Sequence, residues 1–217
     1  MQAQKTLVKK IEAVISEERL LADLERYKQL AIESGATDAH IIETREINVD
    51  ERVRAKCFSP KCSHFGTNAN CPPYVPDLAF TRALISRYKY GILLNVKSES
   101  QYYVGKTYKK CGVPPAKKIF ENVLGAIEGI AYYDGYYFSI AFGQGSCKSL
   151  YCASEPCGVL TGSGCRFPLK ARPSMEAMGI DVFQICLKYG WEVYPCGRRL
   201  EPEDIPYILL VGLVLVW

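Results

Sequence analysis

The sequence has 217 residues, of which 48% are hydrophobic and 23% charged, and its formal net charge is +4. A chain of this length can bury a core without the help of disulfides. Its Lys and Arg residues are dispersed and form none of the like-charge blocks that make nucleic-acid-binding arms, so the composition excludes that class.

The two ends of the sequence do not predict export or membrane insertion. The first twenty residues lack a continuous apolar stretch and a small-residue cleavage site, which is the pattern of an amphipathic helix and not of a signal peptide. The longest apolar run, YILLVGLVLVW at 207–217, is well short of the roughly twenty residues that cross a bilayer as a helix. We therefore expect a cytoplasmic protein without a membrane partner, in which this run is a buried strand.

Two helices are predicted in an N-terminal helical segment of about residues 1–35. Apolar side chains at Leu7, Ile11, Val14 and Ile15 mark one helix face, and those at positions 20–31 mark a second at spacings of three and four residues. Gly35 follows the second helix and ends it.

Strands and helices then alternate along the chain. Five segments rich in β-branched and aromatic residues predict strands: 39–47, 90–96, 136–143, 191–196 and the C-terminal run. Helical patterns cover 77–88, 115–130 and 173–189. With no linker or repeat, the sequence predicts an α/β or α+β fold in a single domain, 1–217. The cysteine-rich segments 57–74 and 143–173 fall between these elements, where functional loops are expected.

The ten cysteines are the most informative feature of the composition. Disulfides are rare in the cytoplasm, so a cysteine-rich chain there indicates metal or redox chemistry. The sequence has only two histidines, His40 and His64, which does not favour Cys-His or Ser-His hydrolysis. We expect a structural role for His40, and for His64 loop packing or a hydrogen bond to a ligand sulfur.

We call Cys147, Cys152, Cys157 and Cys165 the second cysteine group. Four, four and seven residues separate them, among glycines that permit tight turns. Glycine-rich turns present backbone N–H groups to anions such as iron–sulfur clusters. The nearby cations would add to this effect, as would the positive end of a helix that starts at Pro173. These cations are Lys148, Arg166, Lys170 and Arg172.

We call Cys57, Cys62 and Cys71 the first cysteine group. Two prolines follow Cys71, and a Cys-Pro pair ends the ligand run of bacterial-type ferredoxins. A fourth ligand must come from Cys111, Cys186 or Cys196, or one iron stays open to substrate. Cys196 is favoured because it ends a predicted strand beside a glycine. Cys111 and Cys186 are expected to be small buried apolar residues.

Zinc is the alternative to iron and sulfide, because structural zinc sites also use four thiolates. Zinc sites usually pair two close C-x2-C hooks, whereas staggered thiols are more typical of cluster ligation. The sequence therefore favours one or two 4Fe-4S clusters per chain, with zinc as the second reading.

Three segments together resemble a known family: C-x4-C-x8-CPPY at 57–74, the later GxGxC run of cysteines, and CRFPLKARPSMEAMGIDVF at 165–183. They are similar to a family of uncharacterised cysteine-rich proteins, predicted to bind metal, from methanogenic archaea and anaerobic bacteria. The resemblance covers most of residues 40–195 and implies that all seven cysteines of the two groups bind metal, as iron–sulfur ligands. It implies no established reaction. The second group is more widely spaced here than the C-x2-C-x2-C of the family.

Three functions remain open from the sequence. The first is a cytoplasmic iron–sulfur protein that exchanges electrons with a redox partner. The second is an enzyme or assembly factor whose first cysteine group leaves an iron open for sulfur, metal or methyl-group chemistry. The third is a zinc-stapled interaction module. The sequence does not choose a catalytic residue or an oligomeric state.

Overall fold

The computed structural model describes residues 8–106, 111–197 and 199–217. Its strands are β1 (Asp38–Glu43), β2 (Tyr90–Ser98), β3 (Ile140–Phe142) and β4 (Ile208–Leu215). Its α-helices are α1 (Glu17–Glu33), α2 (Glu51–Phe58), α3 (Leu78–Ile85), α4 (Pro115–Tyr133), α5 (Cys147–Tyr151) and α6 (Val182–Lys188). No helix in these described ranges is long and apolar enough to span a bilayer.

The four strands form one antiparallel sheet in the order β1-β2-β4-β3. All three pairings are antiparallel, so the fold is α+β, one of the two expected classes. β4 is the apolar C-terminal run, and it pairs with β2 from Gly91↔Leu215 to Ser98↔Ile208. The expectation that this run is a buried strand of its own sheet is confirmed.

Helices α1 and α4 cover one face of the sheet. Phe120 and Leu124 of α4 are almost completely buried against the middle of β4. A Cβ added at Gly212 would lie 2.9 Å from atoms of both side chains. The absence of a side chain at Gly212 therefore lets α4 pack directly on the central strand.

The opposite face of the sheet packs against the chain that follows the second cysteine group. Leu93 and Leu213 project from the sheet into a core that includes Met175 and Ile180. Gly143, at the end of β3, donates to the carbonyl of Pro173 at 2.9 Å and accepts from the amide of Met175 at 3.0 Å. These two bonds fix where the cysteine-bearing loop between Gly143 and Pro173 leaves and rejoins the sheet.

The first predicted helix is wrong over its described part, and Leu7 lies outside the described residues. Residues 8–16 are irregular, and Val14 is 81% exposed. The amide of Lys9 donates to the carbonyl of Tyr133 at 2.8 Å, and its Nζ lies 3.2 Å from Asp134 Oδ1. Tertiary contacts to the end of α4 thus replace a short helix with little apolar surface to bury. The second predicted helix is confirmed as α1.

The predicted helix 173–189 is divided in two, so Pro173 does not begin a helix. A short 3-10 turn, Glu176–Met178, ends at Gly179, whose φ of 79° is left-handed. Helix α6 then starts anew, with Asp181 Oδ1 accepting from the amide of Gln184 at 3.0 Å. The apolar residues keep a helical spacing on both sides of Gly179, so the sequence pattern did not reveal the turn at this glycine.

The predicted strand 191–196 is also wrong. Trp191 contacts β1 through its side chain, with Nε1 donating to Asp38 Oδ2 at 2.8 Å and the ring beside that of His40. No ladder forms along this segment, and Pro195 lacks the N–H that a ladder needs. Cys196 therefore lies in irregular chain. His40 packs on Trp191 and Tyr189, which agrees with the structural role expected of it.

Candidate metal centre

Helix α2 carries Cys57 in its last turn and was not predicted from the sequence. It begins after Asp50, whose Oδ1 accepts from the amide of Arg52 at 2.7 Å. An Asp followed by an acidic first turn is a helix-start signal that could have been found. The amide of Cys62 donates to the carbonyl of Cys57 at 2.9 Å, so the chain turns back directly after the helix.

The three cysteines of the first group interact electrostatically. Burial raises the pKa of Cys57, and the neighbouring thiols of Cys62 and Cys71 raise it further. Cys71 is only 8% exposed, whereas Cys62 lies at the surface. Thiols that oppose each other's ionisation would be stabilised as thiolates by a bound cation.

The second group begins on a short helix instead of a loop. Ser146 Oγ accepts from the amide of Lys148 at 3.2 Å, which starts α5 at Cys147. The helix ends at Cys152. Beyond it, a Cβ added at Gly158 would lie 2.1 Å from the carbonyl oxygen of Gly164. This close approach draws together the turns that carry Cys157 and Cys165.

All four cysteines of the second group line one cavity of about 260 Å³. Its remaining wall includes the segment Asn68–Ala69–Asn70, which leads directly into Cys71 of the first group. The structure therefore brings together the four residues that the sequence selected, and it adds a wall that the sequence analysis missed.

Backbone N–H groups point at the sulfur of Cys157. Burial opposes ionisation of this thiol, but hydrogen bonds from the amides of Ala69, Leu160 and Val159 outweigh it, so the pKa of Cys157 is lowered. The amide of Phe167 similarly donates to Cys165 Sγ at 3.4 Å. These donors are not the glycines of the turns, and one of them belongs to the segment before Cys71, but all of them suit an anionic thiolate site.

Two asparagines connect the cysteine groups. Asn70 Nδ2 donates to Cys147 Sγ at 3.5 Å, and the Cys147 thiol donates to Asn68 Oδ1 at 3.7 Å. Asn68 is 1% exposed and also donates to Ser146 Oγ at 3.1 Å. Burial raises the pKa of Cys147 to about 11, an effect that the Asn70 bond partly opposes. The only sequence signal for this link is the position of the asparagines just before Cys71.

The predicted cations contribute unequally. Lys148 and Arg166 line the cavity of the second group, and Lys148 helps to lower the pKa of Cys157. Arg172 instead forms an ion pair with Glu128 of α4, with Nε 2.9 Å from Oε2, so its charge is already compensated. Lys170 is not among the residues that line the cavity.

A second, larger cavity of about 660 Å³ lies beside the first group. Cys57, Cys62 and Cys196 all line it. Cys71 is not among the residues that line this cavity, and it is close enough to Cys147 to raise the pKa of that thiol. Cys196 thus shares a cavity with two cysteines of the first group, although the strand that was predicted to place it there is absent.

The other two candidates for a fourth ligand differ from each other. Cys186 is 0% exposed in the core, which confirms the expectation of a buried apolar residue. Cys111 is exposed, so the same expectation is wrong for it. At His64, the backbone amide, not the ring, donates to Cys62 Sγ at 3.5 Å, and burial lowers the pKa of the ring.

The donors of the second group are cysteine thiols, which could serve as thiolate ligands of a metal centre. Across residues 8–106, 111–197 and 199–217, no three His, Cys, Asp or Glu side chains are grouped so that they could hold a metal ion. An iron–sulfur cluster instead takes four cysteine thiolates around its perimeter. The cysteines around the smaller cavity, with N–H groups directed at their sulfurs, provide those donors.

The model of one protein family, described as predicted metal-binding protein (DUF2284), matches residues 40–216. The chain belongs to this family. The matched range of this DUF2284 protein includes both cysteine groups and Cys196, and leaves out α1. No curated protein and no solved structure matches the chain. The family description agrees with the expected metal binding and does not specify the metal or the reaction.

Proposed function

We propose that this DUF2284 protein is a cytoplasmic iron–sulfur protein that transfers electrons to or from a partner protein. The observation that carries the proposal is the convergence of Cys147, Cys152, Cys157 and Cys165 on one cavity. Four thiolates are the usual ligand set of a 4Fe-4S cluster. The backbone N–H groups at Cys157 and the cation of Lys148 would stabilise the added negative charge.

A second cluster at Cys57, Cys62 and Cys71 would lie next to the first. Asn70 touches the sulfur of Cys147 and is bonded through the chain to Cys71. The two sites are thus joined by adjacent residues of one segment, which supports electron passage between them. Cys196 is our choice of fourth ligand, because it lines the cavity of Cys57 and Cys62.

Exposed apolar side chains surround the second group and supply a surface for a redox partner. Leu169 is 84% exposed and Val159 is 47% exposed, and both lie in the loop that carries the cysteines. Cys165 is itself exposed. A cluster close to the surface can exchange electrons without rearrangement of the protein.

A second candidate function is favoured by the larger cavity. If Cys196 does not bind iron, the first group leaves one coordination position open toward a space of about 660 Å³. The protein would then be an enzyme or assembly factor that acts on a molecule bound there. A zinc-stapled module is the third candidate, for which the four thiols of the second group would suffice.

The deciding measurement is the metal and acid-labile sulfide content of protein purified without oxygen, read together with visible and electron paramagnetic resonance spectra. We expect about eight irons and eight sulfides per chain, and absorbance near 400 nm that bleaches reversibly on reduction. About four of each would limit the proposal to the second group. Colourless protein with stoichiometric zinc and no sulfide would overturn it.

A further inference from the structure

Arg54 lies one helical turn before Cys57 on α2. Residues three apart on a helix are neighbours on one face, with about 5–6 Å between their Cβ atoms. Arg54 and Cys57 are half-buried, whereas Arg52 and Lys56 on the same helix are exposed. Arg54 therefore shares with Cys57 the side of α2 that faces the rest of the protein.

Two backbone carbonyls hold the guanidinium of Arg54. Its Nε donates to the carbonyl oxygen of Ala177 at 2.8 Å, and its Nη2 donates to that of Pro76 at 2.5 Å. Pro76 belongs to the segment that follows Cys71. The guanidinium thus ties the helix that carries Cys57 to the chain that leaves Cys71, and it fixes the relative position of these two cysteines.

The positive charge of Arg54 is not neutralised by these bonds, because both acceptors are carbonyl oxygens. No carboxylate in the described part of the chain forms an ion pair with it. Burial lowers the pKa of Arg54, and two anionic groups oppose this effect, Cys57 more strongly than Asp77. An arginine stays charged at neutral pH even so. The sulfur of Cys57 is therefore a stronger charge partner of this cation than the Asp77 carboxylate.

The same interaction is evident from the side of Cys57. Burial raises the pKa of Cys57, and the charges of Cys62, Cys71 and Glu176 raise it further, whereas Arg54 acts in the opposite direction. A 4Fe-4S cluster with thiolate ligands is a net anion. A cluster on Cys57 would therefore place its negative charge beside the cation of Arg54.

We propose that Arg54 positions the first cysteine group and that its charge stabilises the anionic metal centre bound there. Reduction makes a cluster more negative, so a nearby cation favours the reduced form and raises the reduction potential. The carbonyl bonds hold this cation where water screens it less than it screens an exposed side chain. The inference rests on the proposed iron–sulfur function and adds to it a residue that sets the potential of the first cluster.

The test is a redox titration of protein purified without oxygen, monitored by electron paramagnetic resonance. The signal that is missing in Cys57→Ser identifies the first cluster. Arg54→Gln removes the charge and should lower the midpoint potential of that cluster by about 59 mV or more, a tenfold change in the equilibrium of a one-electron reduction. Arg54→Lys keeps the charge and should retain most of the original potential.

Arg52→Gln is the matched control, because it removes the same charge from the same helix. The side chain of Arg52 is 88% exposed and is paired with Asp50 at 2.6 Å. Water screens an exposed charge, so this variant should leave the potential nearly unchanged. Circular dichroism and iron content check that each variant is folded and loaded.

An unchanged potential in Arg54→Gln, or equal falls in Arg54→Gln and Arg54→Lys, would overturn the inference. Metal content that is unchanged in Cys57→Ser would also overturn it, because no metal would then be bound beside Arg54.

Protein that holds zinc and no sulfide would refute the proposed electron transfer, and competition with a chelator then replaces the redox titration. Zinc binding at the first group that is about tenfold weaker in Arg54→Gln, but not in Arg54→Lys, would support the role of the charge. Equal binding in both variants would overturn it. The proposed function and the role of Arg54 thus fail separately.

Discussion

The two cysteine groups differ in how completely the chain surrounds them. The second group has four cysteines within one loop, around one cavity of about 260 Å³ with N–H groups directed at sulfur. The first group has three, and the cavity beside it is about 660 Å³ with mostly apolar walls. A site closed by its own backbone suits electron transfer, whereas a site open to an apolar space suits chemistry on a bound molecule. If both groups bind metal as proposed, this difference would divide electron transfer and chemistry on a bound molecule between them.

The largest expected effect comes from replacing one cysteine of the second group. Cys157→Ser should remove the second cluster and leave the first, so iron and sulfide fall by about half. The reciprocal Cys57→Ser should remove the other half. Lys118→Gln, at an exposed residue that lines neither cavity, serves as the control with unchanged content. Loss of all iron in both variants would show that the two groups hold one shared centre and would contradict the proposal of two separate clusters.

The next prediction concerns the fourth ligand of the first group. Cys196→Ser should lower iron by about one eighth to one half, because the first cluster loses its fourth ligand and either converts to a three-iron form or falls apart wholly. Iron analysis and electron paramagnetic resonance distinguish the two forms. If iron and spectra are unchanged in this variant and also in Cys111→Ser and Cys186→Ser, an iron of the first group is open to the cavity, and the enzymatic function becomes the better one.

Cys147 and Cys157 line the same cavity but should differ in thiol reactivity. In metal-free protein at about pH 8, iodoacetamide should alkylate Cys157 at least tenfold faster than Cys147, because only thiolates react and the larger thiolate fraction of Cys157 outweighs the lower intrinsic nucleophilicity of a less basic thiolate. Cys157 should be the faster of the two because N–H groups lower its pKa, whereas burial raises the pKa of Cys147 to about 11. The difference should shrink as the pH approaches that value. Mass spectrometry of the labelled peptides measures it, and equal rates would contradict this geometry.

The smallest effect is expected from the hydrogen bond between Asn70, which precedes the last cysteine of the first group, and Cys147 of the second group. Asn70→Ala removes a hydrogen bond of about 1 kcal/mol to the sulfur of Cys147. Since such a bond stabilises the more negative, reduced cluster, the potential of the second site should fall by about 20–60 mV. Redox titration monitored by electron paramagnetic resonance measures the shift. Lys118→Ala, at a residue that lines neither cavity, is the control, and a rise in potential would contradict the assignment.

Local patterns predicted the scaffold better than the site. Residues 20–31, 90–96 and 207–217 form the expected elements because each buries a continuous apolar face or strand. The segments 8–15 and 191–196 failed because contacts to distant residues, such as Tyr133 and Asp38, decide their conformation. Contacts between residues far apart in the chain leave no trace in the local spacing of apolar residues, from which these elements were predicted.

Within the site, the type of residue was predictable and its surroundings were not. Cysteine spacing selected the second group, and the structure places its members around one cavity. The roles of Asn68 and Asn70 depend on contacts with Ser146 and Cys147, which lie more than seventy residues further along the chain. Cys196 was selected on the basis of a strand that does not exist, and it nonetheless lines the cavity of Cys57.

The position of β4 in the sheet has a consequence for how the protein matures. This strand joins β2 to β3, yet it follows both cysteine groups in the chain. During synthesis, which proceeds from the N-terminus, the cysteines of both groups are made before the strand that unites the sheet. The thiols therefore spend this interval outside their final surroundings, and we expect metal insertion to follow translation and to require protection of the nascent cysteines from oxygen.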